Sequence, residues 1–271
     1  MELFHWEKEP LKGAIVLVHG AAEHHGRYGH VVQALNEHGY QVWAGDLPGW
    51  GRSQGLKGHI DSFEEYLITI KRWVERARSH LPEELPLYLL GHSMGGLAAV
   101  RFVERYGAQH LAGLILSSPC LQLKIEPPSW KVSLAGCLDQ IWPTLRIANG
   151  ITPGMVARDD VIRTQYKTDP LNYSKVSVRW FNELLRAMDA AWKERNQIQL
   201  PTLIMQAGAD LLVNPAAVAE FAQGLTTPDK QYIEYPGFYH EIFNEAEREQ
   251  VLSDLTEWLG RQGDHCANVT Y

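Results

Sequence analysis

Apolar residues fall into two periods along the chain. Five short runs, Ala14 to Val18, Gln41 to Ala44, Leu87 to Leu90, Leu114 to Leu116 and Thr202 to Met205, are apolar enough to be strands buried on both faces. A sixth, Gln231 to Tyr235, mixes polar and apolar positions and reads as an edge strand. Between them the period lengthens to that of a helix. Tyr28, Val31, Val32 and Leu35 repeat at helical spacing, with Gly39 to close the helix. Phe63, Tyr66, Leu67, Ile70, Trp73, Val74 and Ala77 form a longer stripe behind Ser62 and Glu65, the spacing of a capping box. Asn214-Pro215 opens another helix, and Glu245 to Leu259 forms the last, predicted to end at Gly260. Strands alternating with helices predict an α/β fold, a mostly parallel central sheet flanked by helices.

One stretch interrupts this alternation. Residues 121–199 hold no clear strand, six of the fourteen prolines cluster at or beside them, and they carry Trp130, Trp142, Trp180 and Trp192. One good helix is predicted there, through Val176, Trp180, Phe181, Leu184, Leu185 and Met188. The expected organisation is therefore a core of residues 1–120 and 200–271, with residues 121–199 inserted as a cap. Trp130, Val132, Leu134, Leu138, Ile141, Trp142 and Leu145 are more apolar than an exposed insertion needs. Two readings stay open: they line a tunnel or rest on a bilayer, or they pack the cap onto the body.

Charge narrows the function classes. The net charge is −7 with no basic block, so nucleic acid is not an expected partner. The inserted segment has eleven Lys or Arg against eight Asp or Glu, a weak preference for anionic surfaces. MELFHWEKEP does not read as a signal peptide, and Cys120, Cys137 and Cys266 are scattered and odd in number. A reduced, cytoplasmic protein is expected, with transient contact at the inner membrane face through the cap as an open addition.

The chemistry centres on Gly91-His92-Ser93-Met94-Gly95. A serine between glycines, at a junction where a strand turns at once into a helix, is the pattern of a nucleophile elbow. A Cβ at either flanking position would collide with the neighbouring strand or helix. Serine needs a base, and in this architecture acid and then histidine follow it in the chain. Only His240 and His265 lie beyond the strand at Thr202 to Met205, and His265 is in a polar tail, so His240 is the predicted base. Asp210, in the loop after that strand, is the predicted acid. Asp229 precedes the last strand, at the wrong end of the sheet, and Asp46 precedes the serine, where it ties down the Leu47 to Gly51 loop. The amides of Met94 and Ala21 are the expected oxyanion donors, with His19 bracing the second loop. Gly49-Trp50-Gly51 reads as a turn rather than a dinucleotide loop. Glu23-His24-His25 lacks an evident metal-ligand partner. His24, His25 and Arg27 either contact a polar head group or, in the favoured reading, hold their loop together. No cofactor or metal is expected.

At these residues the sequence resembles a known family. HGAAEHHGRY, GDLPGWGRSQG, GHSMGG, the SSP after the next strand, and the GxD and YHE motifs match, in order, the monoacylglycerol lipase and lysophospholipase branch of the α/β-hydrolases. HEIFNE looks especially like bacterial members. The resemblance implies an α/β-hydrolase fold, a triad on Ser93, Asp210 and His240, oxyanion donors at Ala21 and Met94, and a cap that opens an acyl tunnel toward a membrane. The expected function is hydrolysis of lipid carboxylic esters: monoacylglycerol first, lysophospholipid or phospholipid as the alternative. A serine peptidase of the same fold is a further alternative; it would need an acidic pocket, which Glu126, Asp159 or Asp160 would supply. A non-catalytic receptor ranks last, and oligomeric state is left open.

Overall fold

The computed structural model describes residues 2–7 and 9–268, with the side chains of residues 264–268, among them His265 and Cys266, outside the described set. The strands are β1 (Leu3–Trp6), β2 (Gly13–Val18), β3 (Tyr40–Gly45), β4 (Leu87–His92), β5 (Gly113–Ser117), β6 (Arg146–Ala148), β7 (Lys175–Ser177), β8 (Thr202–Ala207) and β9 (Lys230–Tyr235). Seven of them form one sheet in the order β1-β3-β2-β4-β5-β8-β9. Every neighbour in it is parallel except β1, which runs antiparallel to β3. The five runs predicted as buried strands are all central, and the mixed run is β9, at the edge. The other edge, β1, was not predicted.

Buried side chains alternate between two cores, one on each face of the sheet. Val16, Leu89 and Leu116 pack on one face and Ile15, Leu90 and Ile115 on the other. The helices covering them include α1 (Gly29–Glu37), α2 (Glu64–Arg78), α3 (Met94–Tyr106), α8 (Pro215–Gln223) and α9 (Arg248–Asn268). In the predicted capping box, Glu65 Oε1 accepts the Ser62 and Asp61 amides, while the Ser62 hydroxyl takes the Glu64 amide rather than that of Glu65. The prediction that the last helix ends at Gly260 is wrong: α9 continues to Asn268. A glycine inside a helix costs only about 1 kcal/mol. Val251, Leu255, Trp258 and Leu259, all buried against the sheet, outweigh it.

Residues between β5 and β8 carry α4 (Ser129–Ile141), α5 (Pro153–Val156), α6 (Asp160–Thr168) and α7 (Val178–Glu194). They also carry an antiparallel ribbon of β6 and β7, contrary to the strand-free prediction. Val176, assigned by periodicity to the helix, belongs to β7; α7 starts two residues later, where the Ser177 hydroxyl accepts the Trp180 amide. The tryptophans divide. Trp180 donates to the Tyr66 hydroxyl at 2.8 Å, alongside Trp50, and Trp192 packs edge-on against Phe221 of α8, so both fasten the segment to the body. Trp130 and Trp142 are exposed, as are Leu134 and Ile141.

Candidate active site

The sheet's carboxyl edge gathers the predicted chemistry at one place. β4 runs directly into α3, and Ser93 at the junction has φ 53° and ψ −120°, a strained conformation for a residue with a side chain. The two glycines permit it. A Cβ on Gly91 would stand 2.4 Å from the Gly95 carbonyl oxygen, and one on Gly95 would stand 2.3 Å from that of Val18 in β2. The elbow is braced from the next strand: the Ser93 amide donates to the Ser117 carbonyl, and the Ser93 carbonyl accepts from Cys120 and Leu97. Ala22 and Ser118, the residues flanking this junction from β2 and β5, also have positive φ. With Ser93 itself they make three of the four positive-φ non-glycine residues among the described residues.

His240 follows β9 and reaches back over the elbow. Its Nε2 lies 2.8 Å from Ser93 Oγ and its Nδ1 2.7 Å from Asp210 Oδ2. Asp210 follows β8, is 1% exposed, and is held on three more sides: Oδ1 accepts the amides of Leu212 and Val213, and Oδ2 accepts from Gln206. Burial opposes its charge. The facing imidazole and the amides outweigh that, so its pKa lies below the usual carboxylate value. For His240 burial favours the neutral ring, but the Asp210 charge and hydrogen bond prevail and raise the pKa. With Nδ1–H donated to Asp210, Nε2 is left to accept a proton from the serine. Asp229, by contrast, holds Gln262.

Ala21 and Met94 line the same cavity as Ser93. Among the described residues neither amide donates a hydrogen bond within the protein. The loop carrying Ala21 passes close enough that a methyl on Gly20 would lie 3.1 Å from Ser93 Cβ. His19 braces it as predicted, its Nδ1 on the Gly20 carbonyl and its Nε2 accepting the Leu47 amide.

A buried ionic network, which motif reading missed, holds this loop against the histidine. Glu23 Oε1 accepts from the Gly20 amide and the Tyr28 hydroxyl, while Oε2 takes Arg27. Arg27 in turn grips Glu241, the residue after His240, with two guanidinium nitrogens. Arg27 therefore belongs to the loop-holding alternative. So does His24, bonded to Asp169 at 2.9 Å. His25 contacts Asp46 at 2.6 Å, and Asp46 also accepts the Arg52 amide, tying down the turn around Trp50 as expected. His24, His25 and Asp46 come close enough to hold a metal, which corrects the view that Glu23-His24-His25 has no partner. Their ligand atoms are nevertheless spent on hydrogen bonds: His24 Nδ1 accepts the Gly26 amide, and Asp46 Oδ1 accepts His25 twice.

His92, just before the serine, packs its ring 4.9 Å from that of His240. Burial pushes its pKa down to about 3, so it stays neutral and does not compete for Asp210. Beyond the serine opens a cavity of about 180 Å³, walled by Ile151, Val176, Leu184 and Leu212 among others, with no charged side chain among its described lining residues. The acids a peptidase would need lie elsewhere: Glu126 lines a separate groove, and Asp159 caps α6 through the Val161 and Ile162 amides.

A parallel sheet with a serine elbow at its carboxyl edge, an acid and a histidine after later strands, and an inserted helical segment is an α/β-hydrolase, and the chain is an ester hydrolase of that class. It belongs to the family described as serine aminopeptidase, S33, whose model matches residues 9–247. It is 40% identical over 248 residues to phospholipase YtpA of Bacillus subtilis, covering 91% of this chain and 95% of that one. It is 31% identical over 249 residues to a monoacylglycerol lipase of Mycolicibacterium smegmatis, covering 92% and 88%. Among solved structures, the monoacylglycerol lipase of Paleococcus ferrophilus superposes with a TM-score of 0.87 at 34% identity, over 97% of this chain and all of that one.

Proposed function

We propose that this protein hydrolyses monoacylglycerol to fatty acid and glycerol, with lysophospholipid as the neighbouring substrate. One observation carries the reading: Ser93 Oγ, 2.8 Å from His240 Nε2, opens into an uncharged apolar cavity. His240 removes the serine proton as Oγ attacks the ester carbonyl, and Asp210 stabilises the imidazolium that forms. The Ala21 and Met94 amides take up the oxyanion; losing one such donor typically costs about 3 kcal/mol of transition-state stabilisation. His240 then protonates the departing alcohol, and water activated by the same ring releases the acid. The two relatives, a phospholipase and a monoacylglycerol lipase, support a lipid ester.

Residues 121–199 act in this reading as a cap over a core of residues 1–120 and 200–271. On α4, Trp130 is 62% exposed and Ile141 82%, beside Leu134 and Trp142. An apolar face of that kind suits shallow contact with a lipid surface at the inner membrane face of a cytoplasmic enzyme. Among the described residues no helix is long and apolar enough to cross a membrane.

The test compares monoacylglycerols, lysophospholipids and an aminoacyl arylamide with the wild type and Ser93→Ala. Turnover of the lipid esters that disappears with Ser93→Ala supports the reading. Preferential turnover of the arylamide would overturn it in favour of a peptidase.

A further inference from the structure

The cavity at Ser93 is small for a lipid. Its volume of about 180 Å³ lies below the roughly 300–1,000 Å³ of ordinary ligand pockets. A second apolar groove, of about 410 Å³, lies on the far side of one side chain. Leu123 lines both. The two share a wall as well: Leu184 of α7 faces the catalytic cavity, while its neighbour Leu185, with Met188 and Trp192 further along α7, faces the groove.

We infer that acyl chains too long for the catalytic cavity pass Leu123 into this groove, and that Leu123 sets the length at which they must do so. The inference rests on the proposed ester hydrolysis and adds to it the location of the distal acyl carbons. The backbone at Leu123 is fixed, so only its side chain can yield. Leu123 bridges Val213, the Lys124 amide donates to the Leu212 carbonyl, and the Asn214 amide donates to the Gln122 carbonyl. The side chain is half-buried, and a rotamer change would move it without disturbing that backbone. The groove's floor is equally fixed, since Trp192 donates to the Leu121 carbonyl and packs edge-on against Phe221. Acidic Glu126 and Asp189 also line it, so a carboxylate or phosphate is disfavoured there and a hydrocarbon tail fits.

The readout is the ratio of kcat/KM for an ester of about fourteen acyl carbons to that for one of about six, each buried methylene being worth about fourfold. Leu123→Ala, which widens the passage, should raise the ratio at least about tenfold; Leu185→Trp, which fills the groove without reaching Ser93, should lower it by a similar factor. A second measurement is independent of those variants' folding. In Leu185→Cys, maleimide modification at residue 185, read by mass, should be slowed by prior reaction of Ser93 with a long-alkyl fluorophosphonate and not by a short-alkyl one. Ratios within about twofold of wild type, or equal maleimide rates after both phosphonates, would overturn the inference while leaving ester hydrolysis standing. A wild type that cleaves neither ester would remove both.

Discussion

Arg27 and Glu241 stand 214 positions apart in the sequence and meet through paired hydrogen bonds of 2.5 and 2.7 Å. Their contact joins the loop after β2, which presents Ala21, to the loop after β9, which presents His240. Both side chains are nearly buried, and Arg27 is further shared with Glu23. Removing one partner strands the other's charge out of water. Arg27→Met or Glu241→Gln is therefore expected to cost about 3–5 kcal/mol in urea unfolding. The double variant should recover part of that loss, the signature of a coupled pair. Additive losses would mean the two groups act separately.

The strain at Ser93 predicts a trade between stability and turnover. Its φ of 53° with ψ −120° costs a residue with a side chain about 1–3 kcal/mol, and glycine escapes most of that cost. Ser93→Gly should raise the urea midpoint while abolishing hydrolysis and fluorophosphonate labelling. Ser93→Ala should lose about 10⁶-fold in kcat without that gain in stability.

Gly95→Ala tests how tightly the elbow is built. Its methyl would meet the carbonyl oxygens of Val18 and His19 at 2.3 and 2.4 Å, and these belong to the end of a central strand that cannot shift alone. A loss of about 3 kcal/mol is expected, with a fall in kcat because the displaced helix carries Met94. Unchanged thermal and kinetic parameters would show that the junction has slack.

The pH profile follows from His240. Its pKa is raised above the ordinary 6.5, and only the neutral ring accepts the serine proton. Measured kcat/KM should therefore fall as pH drops through a value above 6.5. Asp210→Asn removes the charge that raises it, so this acid limb should move to lower pH while kcat falls about 10⁴-fold. Stability carries the same pair with its own signs. The His240 contribution is full below 6.5 and lost as pH rises through the raised pKa; that of Asp210 is present above 3.8 and lost as pH falls through its depressed pKa. The destabilisation by Asp210→Asn should be largest between 3.8 and 6.5, where both are present.

Much of this site is written locally. Gly91 to Gly95 encodes the elbow because the collisions that demand glycine arise within a few residues, and chain order leaves few candidates for the partners, which the structure brings within 2.8 Å. What escaped lacks a local signal. β1 is four residues with mixed burial, and it exists because β3 offers it an edge. β6 is three exposed residues whose only reason to be extended is β7. The Glu23–Arg27–Glu241 network pairs groups whose proximity only the finished fold creates, and charged residues in a sequence read first as surface. Gly260 misled in the other direction, because a helix-ending preference is weaker than the burial of Trp258 and Leu259 beside it.

The short clasp between residues 122–124 and 212–214 ties the start of the insertion to the loop that positions Asp210. The two amides that hold Asp210 Oδ1 come from Leu212 and Val213, inside that clasp. A swing of the whole insertion about its leading end would pull the carboxylate from the imidazole. In the proposed reading, motion that admits a lipid is therefore expected at the ribbon, whose exposed Ile147 lines the cavity at Ser93, and not at the clasp.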